Sequence, residues 1–193
     1  MRDPFIQHLA LAVIFRYSTR NKQKMQAAYH MQFFRIFLVL FLVIGLSACG
    51  SKFKRYNGPE VTLVQIDKTN RKMYLFHNSK MLKEYDMGLG FAPVGHKQFE
   101  GDGRTPEGQY FITHRNPNSQ YHLSLGISYP NDVDRAFAEE VGKPTGGDIF
   151  IHGASKQKAR RRDWTAGCVA VSNKEIEQIY AMVNPGTPVI ILP

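Results

Sequence analysis

Two side chains that could together perform acyl transfer stand close to the C-terminal end of the sequence. Cys168 ends the stretch Asp163-Trp164-Thr165-Ala166-Gly167-Cys168, and His152 lies upstream in Ile151-His152-Gly153. A cysteine thiol has an ordinary pKa of about 8.5 and is mostly protonated at neutral pH, so an effective cysteine nucleophile needs a base nearby. His152 is the candidate base. The alternative is that Cys168 is a small buried apolar residue on a strand.

The surroundings of Cys168 favour the catalytic interpretation. Gly167 permits close approach of the backbone, and a cysteine that follows a glycine at a strand edge can place its sulfur beside N–H groups aimed at a developing oxyanion. His152 ends an apolar strand, where a side chain projects from the rim of a sheet. Residues 154–163 form a polar loop long enough to return the chain to an adjacent strand. We therefore expect the two side chains to meet.

The N-terminal part predicts export from the cytoplasm. Residues 36–46 are an unbroken apolar run preceded by Arg35 and followed by small residues, the order of a secretory signal. The run is shorter than the roughly 20 residues that span a bilayer. Leu46-Ser47-Ala48-Cys49 resembles the lipobox of bacterial lipoproteins, which implies acylation of Cys49 and, with Gly50 next, an outer-membrane location in a Gram-negative periplasm. An uncleaved anchor helix is the alternative.

This interpretation divides the chain into four parts. Residues 1–30 are an upstream mis-start or dispensable extension, because Met31 opens a signal of ordinary length. Residues 31–48 are the lipoprotein signal peptide, residues 49–60 the lipidated cysteine and a tether, and residues 61–193 the catalytic domain. Lipidation of Cys49 leaves Cys168 unpaired in an oxidising compartment, since the chain has only two cysteines.

Composition is that of one globular domain, with 193 residues, 43% of them hydrophobic and 21% charged. The net charge of +9 falls to +4 without residues 1–49, which hold six basic residues and one acidic residue. This charge provides no case for a nucleic-acid partner. No histidine pair has zinc-site spacing with a cysteine or acid nearby, so neither a metal nor an organic cofactor is expected.

Short apolar runs separated by Gly/Pro/Asn-rich loops predict a mainly β (α+β) domain, a β-sandwich with one or two short helices. Residues 61–66 and 72–76 form a hairpin around turn residues 67–70. Asp134 could cap a helix over residues 135–141, and Asn173 one over residues 174–183. The second helix carries an apolar stripe expected in the core: Ile176, Ile179, Tyr180 and Val183.

At this point the motifs resemble a known family. Ile151-His152-Gly153, a loop and Thr165-Ala166-Gly167-Cys168-Val169 resemble the signature of the YkuD-type L,D-transpeptidase domain. The segment 104–108, Arg-Thr-Pro-Glu-Gly, and the closing turn and strand at residues 184–189 match further family motifs in the same order. The resemblance covers about residues 61–192 and implies peptidoglycan stem peptides as the substrate class.

The resemblance also implies roles for particular residues. Cys168 would be the nucleophile, His152 the general base and acid, Gly167 part of the oxyanion hole and Thr165 a supporting residue. Many family members carry His at position 166 and Arg or Asn at position 170, where this chain has alanine, so it resembles an Asp-Trp-Thr-x-Gly-Cys-x-Ala subgroup. Expected substrate-binding residues are Gly153, Ser128, Tyr129, Trp164 and Arg160-Arg161-Arg162.

Two of these assignments have equal or better alternatives. The arginine run could supply the cation that Ala170 lacks, or it could be a solvated basic loop. Trp164 could form a wall of the site, although burial as a loop anchor is favoured.

The predicted reaction is transfer of a stem tetrapeptide, acylated on Cys168 at diaminopimelate, to an amine on another stem peptide or an envelope protein. The first alternative is a hydrolase of the same fold, an L,D-carboxypeptidase or an amidase that releases wall-linked protein, and Ala170 gives it weight. The second is a non-catalytic murein-binding tether.

Overall fold

The computed structural model describes residues 31–38, 51–159 and 161–193. The chain divides into two compact units, residues 1–51 and 52–193. In the first unit, residues 31–38 are helical and exposed. No helix in the described ranges is long and apolar enough to cross a membrane. Residues 1–30, signal residues 39–48 and the predicted lipidation site Cys49 lie outside the described residues.

The second unit is mainly β, as the sequence predicts. Its largest element is an eight-stranded sheet in the order β3-β2-β1-β10-β5-β6-β7-β9, and β4 and β8 form a small two-stranded sheet. The strands are β1 Leu63–Asp67, β2 Lys72–His77, β3 Lys80–Asp86, β4 Leu89–Gly90, β5 Gly108–Asn116, β6 Ser124–Ile127, β7 Phe150–Ala154, β8 Asp163–Thr165, β9 Val169–Ser172 and β10 Pro188–Leu192.

Three helices accompany these strands in the second unit: α1 Asp132–Glu140, α2 Lys156–Ala159 and α3 Asn173–Met182. Both predicted caps are wrong by a few residues. Asn131 caps α1 and Ser172 caps α3, each in a reciprocal capping box with the acidic residue three positions later. Asp134 is the third residue of its helix, where its carboxylate accepts from the cap's own N–H.

The predicted hairpin is confirmed, because β1 and β2 pair antiparallel from Leu63↔Phe76 to Asp67↔Lys72. One turn residue differs from expectation. Lys68 is 2% exposed, and its ammonium donates to Gly95 O at 2.6 Å, Thr105 O at 3.0 Å and Glu107 Oε1 at 2.6 Å. Burial lowers the pKa of Lys68, and Glu107 opposes that effect. Lys68 thus ties β1 to the 95–107 segment.

Residues 52–59, predicted to be a tether, lie in the same compact unit as the domain. Lys52 donates hydrogen bonds to the 117–122 loop, and Tyr56 packs against the hydrophobic core. This stretch is therefore docked on the domain and is not a free spacer.

The part of the fold that positions the chemistry is the parallel pair β7 and β9. The register runs Ile151↔Val169, His152↔Ala170, Gly153↔Val171 and Ala154↔Ser172. Parallel neighbours need a long crossover, and here residues 155–168 supply it through α2 and β8. This confirms that the loop after His152 returns the chain to an adjacent strand.

Helix α3 packs over β7 and secures the pair from one side. Its predicted apolar stripe is confirmed as core, because Ile176, Ile179 and Val183 are fully buried and Tyr180 nearly so. Each fully buried isoleucine contributes about 1.5–3 kcal/mol relative to exposure. The β7–β9 pair is therefore stabilised by backbone hydrogen bonds between the strands and by apolar packing against α3 on one face.

Candidate active site

The structure brings Cys168 and His152 to one cleft. His152 is paired with Ala170 across β7 and β9, and side chains alternate along a strand, so His152 shares a sheet face with Ala170 and with Cys168 two positions earlier. Both side chains line the same cleft of about 560 Å³. The remaining lining residues are Asn116, Asn118, Ser119, Gln120, Tyr121, Ser124, Asp148 and Phe150.

Cys168 is held as a protonated thiol. Its Sγ donates a hydrogen bond to Asp148 O at 3.4 Å. Burial raises the pKa of the Cys168 thiol and the Asp148 carboxylate adds to that effect, while a backbone hydrogen bond from Phe150 and the charge of Lys97 oppose it. The thiol therefore needs a base at the moment of attack.

Asp148 reaches the thiol through an unusual backbone conformation that sequence reasoning missed. Its φ is +54°, a left-handed value that is uncommon outside glycine but is tolerated by Asp and Asn. This turn lies just before β7, and its carbonyl oxygen is the one that accepts from Cys168. The preceding Gly146-Gly147 pair was the available sequence signal for a special turn at this point.

His152 is a neutral base with a defined tautomer. Its Nδ1 lies 2.8 Å from Gly153 O, and a carbonyl oxygen can only accept, so Nδ1 carries the proton. Nε2 is left with a free lone pair. Burial lowers the pKa of His152 and the charge of Lys158 adds to this, while the Gly153 hydrogen bond opposes it. The side chain is 2% exposed, and its imidazole is therefore neutral at neutral pH, with Nε2 able to accept a proton from a nearby donor.

Two aromatic rings enclose the His152 imidazole. Tyr121 lies against it with ring centroids 4.3 Å apart and 31° between planes, and Trp164 meets it edge-on at 5.8 Å and 77°. The sequence favoured Trp164 as a loop anchor, whereas the structure places its indole in contact with the candidate base. Tyr121 was not predicted, because nothing in the loop around it has a motif or periodicity.

The turn before the nucleophile is fixed by Thr165 and Gly167. Thr165 Oγ1 donates to Cys168 O at 2.7 Å and accepts from Gly167 N at 3.2 Å. Gly167 has φ +138°, and a Cβ there would lie 2.7 Å from Arg104 O. Only glycine fits this position without strain. The predicted supporting residue and the predicted glycine therefore act together on the backbone that carries Cys168.

A bidentate ion pair anchors the same turn to the β1–β2 hairpin. Arg71 Nε and Nη2 donate to the two carboxylate oxygens of Asp163, each at 3.0 Å. Asp163 begins β8, which pairs with β4 and leads directly into Trp164 and Thr165. Paired fork-to-carboxylate contacts fix orientation as well as distance. The sequence offered no signal that Arg71 would reach this segment.

The predicted substrate-binding residues do not line a single cavity. Gly153 contributes its backbone, which holds His152, and lines a smaller cavity beside the cleft. Ser128 and Tyr129 line a second cavity of about 340 Å³ that shares Asp148 and Phe150 with the cleft. Arg161 and Arg162 are exposed and line none of the described cavities, and the side chain of Arg160 lies outside the described residues.

Ala170 lies opposite His152 on β9 and is buried, with both backbone groups paired to Gly88 at 2.8 and 2.9 Å. No lysine or arginine lines the main cleft within the described part of the chain. The described residues contain no group of three His, Cys, Asp or Glu side chains arranged to hold a metal ion. The cleft therefore presents hydroxyl, amide and aromatic groups and one acidic residue, Asp148, around Cys168 and His152.

A family model for the YkuD L,D-transpeptidase catalytic domain matches residues 62–191. The chain belongs to this family. It is 29% identical over 127 residues to the Escherichia coli (strain K12) protein YafK, covering 63% of this chain and 46% of that protein. It is 24% identical over 131 residues to YqjB of Bacillus subtilis (strain 168), covering 66% and 69%. Both relatives carry a provisional L,D-transpeptidase name.

The fold agrees with that family. The helical cell shape determining protein Pgp2 from Campylobacter jejuni matches with a TM-score of 0.55 and 28% identity, over 70% of this chain and 49% of that one. Bd1075 from Bdellovibrio bacteriovorus matches with a TM-score of 0.52 and 24% identity, over 72% and 50%. The chain thus spans about half the length of YafK and of these two structures.

Proposed function

We propose that this chain is a peptidoglycan L,D-transpeptidase that uses Cys168 as its nucleophile and His152 as its base. The observation that carries the proposal is the placement of both side chains in one cleft by the parallel β7–β9 pair. The family supports an enzyme that acts on stem peptides. Two relatives with a provisional L,D-transpeptidase name support the same reaction class.

The first half of the reaction is acylation. His152 Nε2 takes the thiol proton as Cys168 Sγ bonds to the diaminopimelate carbonyl carbon of a stem tetrapeptide. The carbonyl oxygen becomes an oxyanion beside the backbone N–H of Cys168, because the Gly167 N–H already donates to Thr165 Oγ1 and holds the turn. The C–N bond to D-alanine then breaks, and His152 returns the proton to the leaving amine. The product is a thioester on Cys168.

The second half is transfer to an amine. His152, again neutral, removes a proton from the acceptor amine as its nitrogen attacks the thioester carbonyl, and Cys168 leaves with a proton. The acceptor is an amine of a neighbouring stem peptide or of an envelope protein. The aromatic wall of Tyr121 and Trp164 limits water around the imidazole and so favours an amine that can fill the cleft.

A hydrolase with the same residues is the second candidate. The specific observation that favours it is the lack of a fixed cation in the main cleft, where position 170 is a buried alanine and no lysine or arginine lines the wall among the described residues. A weakly held acceptor peptide would let water take the thioester, which gives L,D-carboxypeptidase or amidase activity.

The location proposed for the enzyme is the periplasmic side of an outer membrane, through a lipid on Cys49. The lipobox-like Leu46-Ser47-Ala48-Cys49 sequence supports this. The cell-shape role named for Pgp2 suggests that cross-linking or trimming by this chain would alter cell shape.

The experiment is incubation of the full chain, purified in detergent, with tetrapeptide muropeptides and with Cys168→Ala in parallel. Mass spectrometry should find free D-alanine, cross-linked dimers and an acylated wild-type protein that the variant lacks. Tripeptide without dimers would favour the hydrolase. Undiminished turnover by Cys168→Ala would refute the thiol mechanism for both.

A further inference from the structure

The loop between β5 and β6 forms one wall of the cleft, and residues 117–120 in its N-terminal part have few contacts of their own to hold their shape. Its internal hydrogen bonds are local, from Asn118 N to Asn116 Oδ1 at 2.9 Å and from Tyr121 N to Ser119 Oγ at 3.1 Å. Tyr121, which lies on the His152 imidazole, is part of this loop. Leu123 at the C-terminal end of the loop is buried and its carbonyl accepts from Gly153 N at 3.2 Å, so residues 117–120 are the part expected to open readily unless another segment holds them.

Lys52, which is distant from the loop in the sequence, is the residue that holds the loop. Its ammonium donates to Pro117 O at 2.7 Å and to His122 O at 3.2 Å, so one side chain bridges the two ends of residues 117–122. Lys52 lies outside the residues that match the family model. The two hydrogen bonds to the loop therefore come from a residue that lies outside the matched catalytic domain.

The neighbours of Lys52 fasten the same segment to α3. Phe53 packs on Tyr180 with ring centroids 6.3 Å apart, and Lys54 Nζ lies 3.3 Å from Glu177 Oε2. The other carboxylate oxygen of Glu177 is 3.0 Å from His122 Nε2, at the end of the loop. Residues 52–54, here named the strap, thus reach the loop directly through Lys52 and indirectly through Glu177.

We infer that Lys52 is a positioning residue for the active site: by bridging Pro117 and His122 it holds Tyr121 against His152 and keeps the cleft wall closed. The inference rests on the proposed function for its effect on turnover, but the bridge itself does not. Loss of the bridge lets the loop populate open states that bind substrate poorly. Since apparent affinity falls with the competent fraction, KM rises while kcat at saturation stays nearly constant.

The test compares Lys52→Met, Lys52→Arg and Arg55→Met in the full chain in detergent. Arg55 is exposed, belongs to the same segment and has no described bond to the loop, which makes it the matched control. We expect Lys52→Met to raise KM for tetrapeptide by about tenfold, with kcat within about twofold, since two charge-assisted bonds are lost. Amide exchange in residues 118–123 should accelerate by a similar factor, and Lys52→Arg should retain part of the wild-type behaviour in both measurements.

Each outcome decides the matter. Equal KM and equal loop exchange in Lys52→Met and Arg55→Met would overturn the inference that the strap holds the loop. Faster exchange with unchanged KM would overturn the positioning role, because the loop would then open without consequence for substrate. If the wild-type chain turns over no muropeptide, the proposed function fails, while the exchange rates still decide whether Lys52 holds the loop.

Discussion

The ring of Tyr121 lies on the imidazole of His152, with centroids 4.3 Å apart and planes tilted by 31°. The contact fixes the ring plane of the candidate base on one side, while the Nδ1 bond to Gly153 O fixes its rotation. An imidazole held in this way presents Nε2 in one direction. Tyr121 therefore orients the His152 imidazole, just as the Gly153 carbonyl sets its tautomer.

Replacement of Tyr121 by alanine should lower kcat/KM by up to about tenfold, because an aromatic pair contributes roughly 0.5–1.5 kcal/mol beyond burial. Tyr121→Phe keeps the ring and should retain most of the activity. Steady-state kinetics on both variants checks the difference. Equal losses in the two would show that the hydroxyl, and not the stacked ring, is what matters.

The pH profile should reflect the lowered pKa of His152. A histidine whose pKa lies below 6.5 stays neutral as the pH falls through 6.5, so the acid limb of kcat/KM should appear below that value. His77→Asn, a replacement remote from the cleft, should leave the profile unchanged. An acid limb centred above pH 6.5 would contradict the buried, neutral base described for this site.

Cys168 should react slowly with iodoacetamide at neutral pH. Because burial raises its thiol pKa above the ordinary value, the thiolate fraction at pH 7 is small, and the alkylation rate should still be rising at pH 9. The rate is measured by mass spectrometry across pH 6–10, with a free cysteine peptide for comparison. A rate plateau beginning near pH 7 would indicate a preformed thiolate instead.

Gly167→Ala should destabilise the domain and abolish most turnover. The residue has φ +138°, and the added Cβ would press on Arg104 O, so the turn must shift at a cost of about 1–3 kcal/mol. Gly147→Ala is the matched control, because a Cβ there meets nothing within 4 Å. Thermal unfolding and kinetics should separate the two variants, and comparable stability of both would argue against the close approach.

Arg71→Met should loosen the turn that carries Trp164 and Thr165. Removal of the guanidinium leaves Asp163 without its bidentate partner and should cost about 1–2 kcal/mol of unfolding free energy. A double-mutant cycle with Asp163→Asn measures the coupling by denaturant unfolding. Strictly additive losses in that cycle would mean that the pair contributes nothing beyond its separate residues.

The candidate pair and the mainly β fold follow from the sequence because their signals are local. Cys168, His152, Thr165 and Gly167 lie in short runs whose residue types predict a nucleophile, a base and close approach of the backbone. The apolar stripe of α3 follows from helical periodicity alone.

The rest of the site depends on contacts between distant residues. Tyr121 reaches His152, Arg71 reaches Asp163 and Lys52 reaches His122, and none of these pairs lies within one motif. The helix caps were mispredicted for another reason. Asn131 and Asp134 can both cap a helix, and the sequence alone does not say which of the two starts it and which closes the box.

In the parallel β7–β9 pair, one part of the chain positions His152 and Cys168 and another part connects the two strands. The relative placement of His152 and Cys168 is set by a four-residue ladder and by the Thr165–Gly167 turn, whereas the first part of the crossover, residues 155–162, connects the two. A change of charge at the exposed Arg161 side chain is therefore expected to leave the register of the two strands unchanged, whereas the charge of Lys158 also acts on the pKa of His152. The register of the two strands and the charge near the imidazole can thus be altered separately.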